Sequence, residues 1–321
     1  MTLQSPSSVI PTKLKAKSIG GPALRRLSEG EVGEVHSVFG SALNIVLTDG
    51  LVSIVSPKVD NGPLNIVLAQ LAAPRLESLG LKTGDDVIVQ EGVIKIGDLV
   101  NVDFDDANVI SARLRCRKPI LSKSEIQANV ELVRDKAVLT GSMLGIGHLL
   151  EIQRDRGQSL ETGPNLFTRS IKPRLASFLM ALRVGEEKDL KTVIENLVGL
   201  GPGLTPSSDD MLAGILSIIR LLDSKSGSKR RIDALSKAVI SIPSGRTTLV
   251  SEELLKQAAL GNVNESISGL CSAILTEDQR TVEIETKRVL SIGGSSGMDT
   301  IVGIVIGAGL CLDDDFNGFL E

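Results

Sequence analysis

The hydrophobic period changes once along this chain, and that change constrains the fold more than any other feature. From Glu31 to about Ile110, short β-branched runs are separated by turn residues, as in NIVLTDGLVSIV, where Asp49-Gly50 divides two apolar segments in the manner of a hairpin. PLNIVLA (63–69), DDVIVQEGVIKIGD (85–98) and NVDFDDANVI (101–110) supply further strands, and LAQLAAPRLESLG supplies one short helix before Gly80. After Ser124 the apolar residues recur at helical spacing in SEIQANVELVRDKAVL, PRLASFLMALRV, EEKDLKTVIENLVGL, SDDMLAGILSIIRLL, SKRRIDALSKAVISI, SEELLKQAALG and a last apolar run. The expected fold class is α+β, an N-terminal mostly-β domain followed by a larger, mostly α-helical C-terminal domain. Its divisions are an N-terminal extension over 1–30, the β domain over 31–112, a linker over 113–124 and the helical domain over 125–321. The linker carries Arg113, Arg115, Arg117, Lys118 and Lys123, a charge run most simply read as a solvated surface.

Several function classes are disfavoured. A net charge of −4 and the lack of Trp and Tyr give neither a phosphate-binding cationic excess nor a base-stacking platform, so nucleic acid is not an expected partner. Cys116, Cys271 and Cys311 are odd in number and far apart, which fits a reducing cytoplasm better than a disulfide framework. The N-terminal stretch has no apolar segment of the kind a secretory signal needs. IVGIVIGAGLCL (301–312) falls short of the roughly 20 residues of a membrane span and is followed by Asp313, Asp314 and Asp315, so a buried helix is expected and no membrane association.

The polar residues that invite a functional reading sit where helices begin. In GLGPGLTPSSDD (199–210), Thr205 before Pro206 is a natural N-cap, or Ser207 caps the helix with Asp210 as its capping-box partner. Asp209 and Asp210 fall in the first turn, at the positive end of the helix dipole. Capping does not explain why the device recurs. SIGGSSGMDTIVGI near the C-terminus repeats the pattern, so that Ser207, Asp210, Gly214 and Ile215 correspond to Ser296, Asp299, Gly303 and Ile304 in S-x-x-D-x-x-x-G-I. A glycine inside a helix costs about 1 kcal/mol relative to alanine, and its use twice suggests close backbone approach. Two helix N-termini brought together in this way would aim their free N–H groups at one point, a ready site for phosphate or carboxylate. A third entrance, SGRTT (244–248), adds Arg246, whose planar fork suits the same anions, with Thr247 and Thr248 as hydroxyl donors.

Standard motifs are absent. Gly203 is followed by Leu204-Thr205 instead of Lys-Ser/Thr, so this is no Walker loop, and no βαβ unit surrounds Gly199, Gly201 and Gly203. The two histidines, His36 and His148, are isolated, and a structural role is expected for each. One of Asp209 and Asp210 could join Asp299 on a Mg²⁺ ion, but adjacent helical residues diverge by about 100°, so no metal or other cofactor is expected.

GLGPGLTPSSDDMLAGIL, TTLVSEELLKQAALG, SIGGSSGMDTIVGI and GEVHSVFGSALNIVL together resemble the prokaryotic family that includes the AllH subunit of oxamate carbamoyltransferase. The chain differs from the common family pattern at Ser208 and Gly294. The resemblance implies a component of a multi-subunit transferase that interconverts oxalurate plus phosphate with oxamate plus carbamoyl phosphate in allantoin and purine nitrogen metabolism. It implies other subunits as partners, with a small anionic substrate such as phosphate, carbamoyl phosphate or oxamate. Residue chemistry nominates Arg246, Asp210 and Asp299 as catalytic. It nominates Gly201, Gly203, Leu204, Thr205, Ser207, Ser208, Asp209, Thr247, Thr248, Gly294, Ser295, Ser296 and Gly297 as substrate-binding. Two alternatives stay open: a non-catalytic assembly subunit, and a Mg-dependent small-molecule phosphotransferase.

Overall fold

A computed structural model describes residues 10–71, 74–154, 165–184, 187–226 and 230–312. Asp313, Asp314 and Asp315, and the first nine residues of the stretch searched for a leader, lie outside these. The chain divides into two compact units, Met1–Ala112 and Arg113–Glu321.

The first unit is a β-barrel. Its elements are β1 (Thr12–Gly20), the short helix α1 (Gly21–Arg25), β2 (Val32–Val38), β3 (Ala42–Leu47), β4 (Gly50–Val55), β5 (Asn65–Leu68), a 3₁₀ turn (Leu76–Leu79), β6 (Asp86–Gln90), β7 (Val93–Ile96), β8 (Val100–Asp103) and β9 (Asn108–Ile110). The strand order β5-β4-β3-β2-β6-β7-β8-β1 closes because β1 also pairs antiparallel with β5. On its other side β1 pairs first with β8 and then with β9, both parallel. Closure removes the unpaired edges that an open sheet would leave. The Asp49-Gly50 hairpin forms as its sequence indicates, with Leu47 opposite Gly50. Glu91 and Gly92, with φ of 49° and 71°, supply the two left-handed residues of the β6–β7 turn. Leu14, Ile45, Ile54, Ile66, Ile94 and Val102 fill the interior.

β1 lies inside the segment that the sequence alone marked as an N-terminal extension. TKLKAK does alternate, lysine outward and Leu14 and Ala16 inward, but one of its two inward residues there is only alanine, and the lysines dominate the pattern.

The second unit is helical: α2 (Lys123–Thr140), α3 (His148–Arg154), α4 (Leu166–Val184), α5 (Glu187–Glu195), α6 (Ser207–Ser226), α7 (Arg230–Ile240), α8 (Leu249–Ala259), α9 (Glu265–Thr276), α10 (Gln279–Leu290) and α11 (Ser296–Leu312). α2 begins with a full capping box between Ser122 and Glu125. The basic segment before it runs along this unit: Leu114 is buried, its N–H donates to the Gly261 carbonyl at 2.9 Å, and Lys118 pairs with Glu277 at 2.6 Å. No helix among the described residues is long and apolar enough to cross a membrane.

The most extensive helix contact joins α6 to α11, and every residue from Gly297 to Ala308 is buried. A helix that is apolar all round must be enclosed by others. The repeated glycines explain the closeness. A Cβ on Gly214 would lie 2.2 Å from the Thr300 carbonyl oxygen, and a Cβ on Gly303 would lie 2.0 Å from that of Met211. Met211 and Thr300 are themselves equivalent in the repeat, so each glycine meets the same backbone position of its counterpart. Each would also come within 3.0 Å of the next isoleucine's nitrogen, Ile304 in one case and Ile215 in the other. Further along, Gly307 packs against Ile215 and Ile218, so the register advances in one direction and the helices run parallel, start beside start.

Gly303→Ala should therefore destabilise the helical unit by about 2 kcal/mol despite alanine's helix propensity, because the new methyl overlaps backbone that has no room to move. Gly294→Ala is the control, since a Cβ there meets nothing within 4 Å. Urea unfolding followed by circular dichroism should separate the two; equal midpoints would contradict the packing role.

Candidate functional site

The α6 entrance is tied to two others. Gly199, Gly201 and Gly203 take φ of 78°, 132° and 88°, which lets the loop fold tightly onto the start of α6. A Cβ on Gly199 would strike the Arg246 carbonyl oxygen at 2.5 Å, and one on Gly201 would strike the Ser207 nitrogen at 2.3 Å. Thr248 caps α8 through the Ser251 N–H at 3.1 Å, while its hydroxyl donates to the Leu204 carbonyl. Across the other side, Thr205 Oγ1 lies 2.9 Å from Ser296 Oγ at the start of α11. Thr205 and Ser207 are thus not the caps that the sequence suggested. The Thr205 hydroxyl serves a contact between entrances, and Ser207 Oγ is buried with no hydrogen-bond partner among the described residues.

Asp209 is the hub of this assembly. It is buried, and its Oδ1 accepts from the Gly199 N–H at 2.8 Å and from Ser208 Oγ at 3.1 Å. Its Oδ2 accepts from Thr247 Oγ1 at 2.5 Å and Ser251 Oγ at 2.6 Å. Ser208 completes the loop by accepting from the Leu200 N–H at 2.9 Å. One carboxylate therefore binds the glycine loop and the α8 entrance to α6.

Asp210 and Asp299 are supplied differently. Asp299 is fully buried; its Oδ1 accepts from the Ile146 N–H at 2.8 Å, and its Oδ2 closes no hydrogen bond among the described residues. The Ser207 and Ser295 hydroxyls lie near enough to favour its ionised form without meeting hydrogen-bond geometry at Oδ2 or Ser207 Oγ. Asp210 is part-exposed as a residue, yet its Oδ2 is closed off from solvent and likewise unpartnered. Burial drives the Asp210 carboxyl well above the ordinary carboxylate range; the Ser296 hydroxyl opposes the rise, and the neighbouring Asp299 charge adds to it. Burial also raises Asp299, against the pull of the Ile146 N–H and the two serines.

Five N–H groups at the starts of α6 and α11 have partners within the chain. Those of Asp209 and Asp210 donate to the Pro206 carbonyl, that of Ser208 to Leu200, that of Gly297 to Ile292 and that of Asp299 to Ser295. Arg246 is exposed, with its guanidinium 3.6 Å from Glu195 Oε2. Gly203 and Gly294 are exposed with open space beside them, whereas Gly297 is packed against the Val289 carbonyl.

A fourth loop escaped the sequence reading. GSMLGIG (141–147) precedes α3 with the same glycine-rich grammar, and it supplies the Ile146 N–H that holds Asp299. Only glycine fits at 145, where a Cβ would overlap the Asp299 carboxyl at 2.2 Å, and Asn165 braces the loop through the Met143 and Gly145 carbonyls. His148 follows directly, its Nδ1 2.7 Å from Glu151 Oε2. No group of three or more His, Cys, Asp or Glu side chains among the described residues is arranged to hold a metal ion. The barrel has its own concavity of about 410 Å³ beside Lys13, Lys15 and Lys95, but Lys15 is held by Asp106 at 2.8 Å and Lys95 by Gln90 at 2.9 Å.

Two measurements test this geometry. Asp209→Ala leaves the Gly199 N–H and the Thr247 and Ser251 hydroxyls without their shared acceptor, and should cost at least about 3 kcal/mol in chemical denaturation; a loss under about 1 kcal/mol would deny the hub. Asp210 and Asp299 have raised native values, so their contribution to stability is complete below about pH 4 and is lost as pH rises through those native values. Asp210→Asn has no proton to lose there. Its thermal midpoint should exceed the wild type by a margin that widens from pH 4 to about pH 8, and a margin constant with pH would contradict the shift.

Comparison with known proteins agrees with this division of the chain. No solved structure matches it. The model of the AllH family N-terminal domain matches residues 15–109, and that of the oxamate carbamoyltransferase subunit AllH matches residues 197–308. The second match contains all three entrances named from the sequence, and the two together cover most of the chain, which therefore belongs to the AllH family.

Proposed function

We propose that the chain is the component of an oxamate carbamoyltransferase that holds a small substrate where α6 and α11 begin. A single observation carries this reading: Ser207 Oγ, Asp210 Oδ2 and Asp299 Oδ2, all closed off from solvent, are left without hydrogen-bond partners at one point of the helical unit. An unpaired buried polar atom costs about 1–3 kcal/mol, so three together mark a place that a ligand completes.

In the proposed direction, an oxygen of phosphate attacks the terminal carbamoyl carbon of oxalurate. The tetrahedral oxyanion then collapses with cleavage of the bond to the inner nitrogen, which takes up a proton and leaves as the amide of oxamate. The other product is carbamoyl phosphate. Asp210, whose carboxyl burial raises well above the ordinary carboxylate range, is the proposed donor of that proton. The hydroxyls of Thr205 and Ser296 and the positive ends of two parallel helices stabilise the oxyanion. Asp299 orients the substrate. Arg246 takes the anionic end, exchanging Glu195 for a phosphate or carboxylate that its fork engages in two bonds. The glycines and hydroxyl residues of the three entrances form the surrounding wall, other subunits of the transferase complete the enzyme, and the cytoplasm is the proposed location.

Arg246→Ala should lower kcat/KM for phosphate in the reconstituted transferase by at least about 100-fold, with the stability of the chain unchanged because the guanidinium is exposed. Full activity in that variant would remove Arg246 from the site.

A further inference from the structure

The unpartnered atoms at the paired helix entrance share a chemical character that the N-terminal position of the helices would not lead one to expect. Helix starts attract anions because their N–H groups are free. Here the first-turn N–H groups of Ser208, Asp209, Asp210, Gly297 and Asp299 are all engaged by carbonyls of the chain itself. Among the buried side-chain atoms at this entrance, those left unsatisfied are one oxygen on each of two carboxyls and one serine hydroxyl. Asp299 is fully buried and fixed on one side by the Ile146 N–H, with Gly145 close to both of its carboxyl oxygens; ionised, its Oδ2 presents a lone pair.

From this we infer that the entrance recognises the N–H hydrogens of a primary amide or ureido group and discriminates against a carboxylate in the same place. Asp299 Oδ2 and Ser207 Oγ accept the hydrogens, and Asp210 lies beside them. The inference rests on the proposed small-substrate site and assigns the orientation within it: the amide end faces the carboxyls, and the charged end points away toward solvent. A carboxylate at that point would set oxygen against oxygen in a buried setting, leaving lone pairs unpaired on both sides.

Oxamate and oxalate make the test, since they differ only by –CONH₂ against –COO⁻. Calorimetric titration of the full chain should give oxamate a Kd at least about tenfold lower than that of oxalate. Asp299→Asn keeps an oxygen for the Ile146 N–H but places an N–H₂ where Oδ2 was, and should abolish or reverse the preference. If that variant fails to fold, Ser207→Ala carries the same question, with oxamate weakened at least about threefold and oxalate unaffected. Equal or tighter binding of oxalate by the wild type, or a preference that survives both substitutions, would overturn the inference while leaving the substrate site in place. No heat from either ligand with the folded chain would overturn the site and the inference together.

Discussion

The helical unit depends on the approach of two backbones at Gly214 and Gly303. Neither glycine is there for conformational freedom, since both lie in regular helix; each is there because the opposite carbonyl occupies the volume of its missing Cβ. The approach is parallel, so two helix N-termini, each carrying roughly half a positive charge, are placed side by side. Such an arrangement is unfavourable without negative charge in the first turns, and Asp209, Asp210 and Asp299 stand there. The glycines and the aspartates of the repeated S-x-x-D-x-x-x-G-I segment are two halves of one device.

Three aspartates in nearly the same setting have separate fates because of their donors. Asp209 receives bonds from a backbone N–H and three hydroxyls, and it serves to join the glycine loop and the α8 entrance to α6. Asp299 has one well-formed bond, and Asp210 Oδ2 has none. For both, burial outweighs the available donors and raises the carboxyl above the ordinary carboxylate range. Architecture is thus assigned to the saturated carboxylate, and ligand contact is proposed for the undersupplied ones.

Much of this was legible in the sequence. The Asp49-Gly50 hairpin was marked by turn chemistry, the change of period marked the passage from strands to helices, and the repeat announced that two helix starts are built alike. What sequence could not convey was long-range closure. β1 is recognisable as a strand only once β5 and β8 stand on either side of its lysine-rich face. The loop 141–147 has the same glycine-rich grammar as its counterparts, but no carboxylate or arginine drew attention to it, and its role lies in one N–H directed at a residue far along the chain. Cap chemistry was misleading at Thr205 and Ser207, because a hydroxyl at a helix start can serve a neighbouring loop as readily as its own backbone. The mostly polar α10 and the Ser- and Gly-containing α9 went unmarked, although their apolar residues recur at helical spacing no less regularly than those of α6.

The central claim is that the starts of α6 and α11, joined by their glycines, form a substrate site. A crystal structure of the full chain grown with oxamate tests it most directly. The ligand is expected between Ser207, Asp210 and Asp299, with its amide nitrogen within hydrogen-bond distance of Asp299 Oδ2. A ligand bound elsewhere, with water or a neighbouring side chain satisfying those three atoms, would contradict the claim.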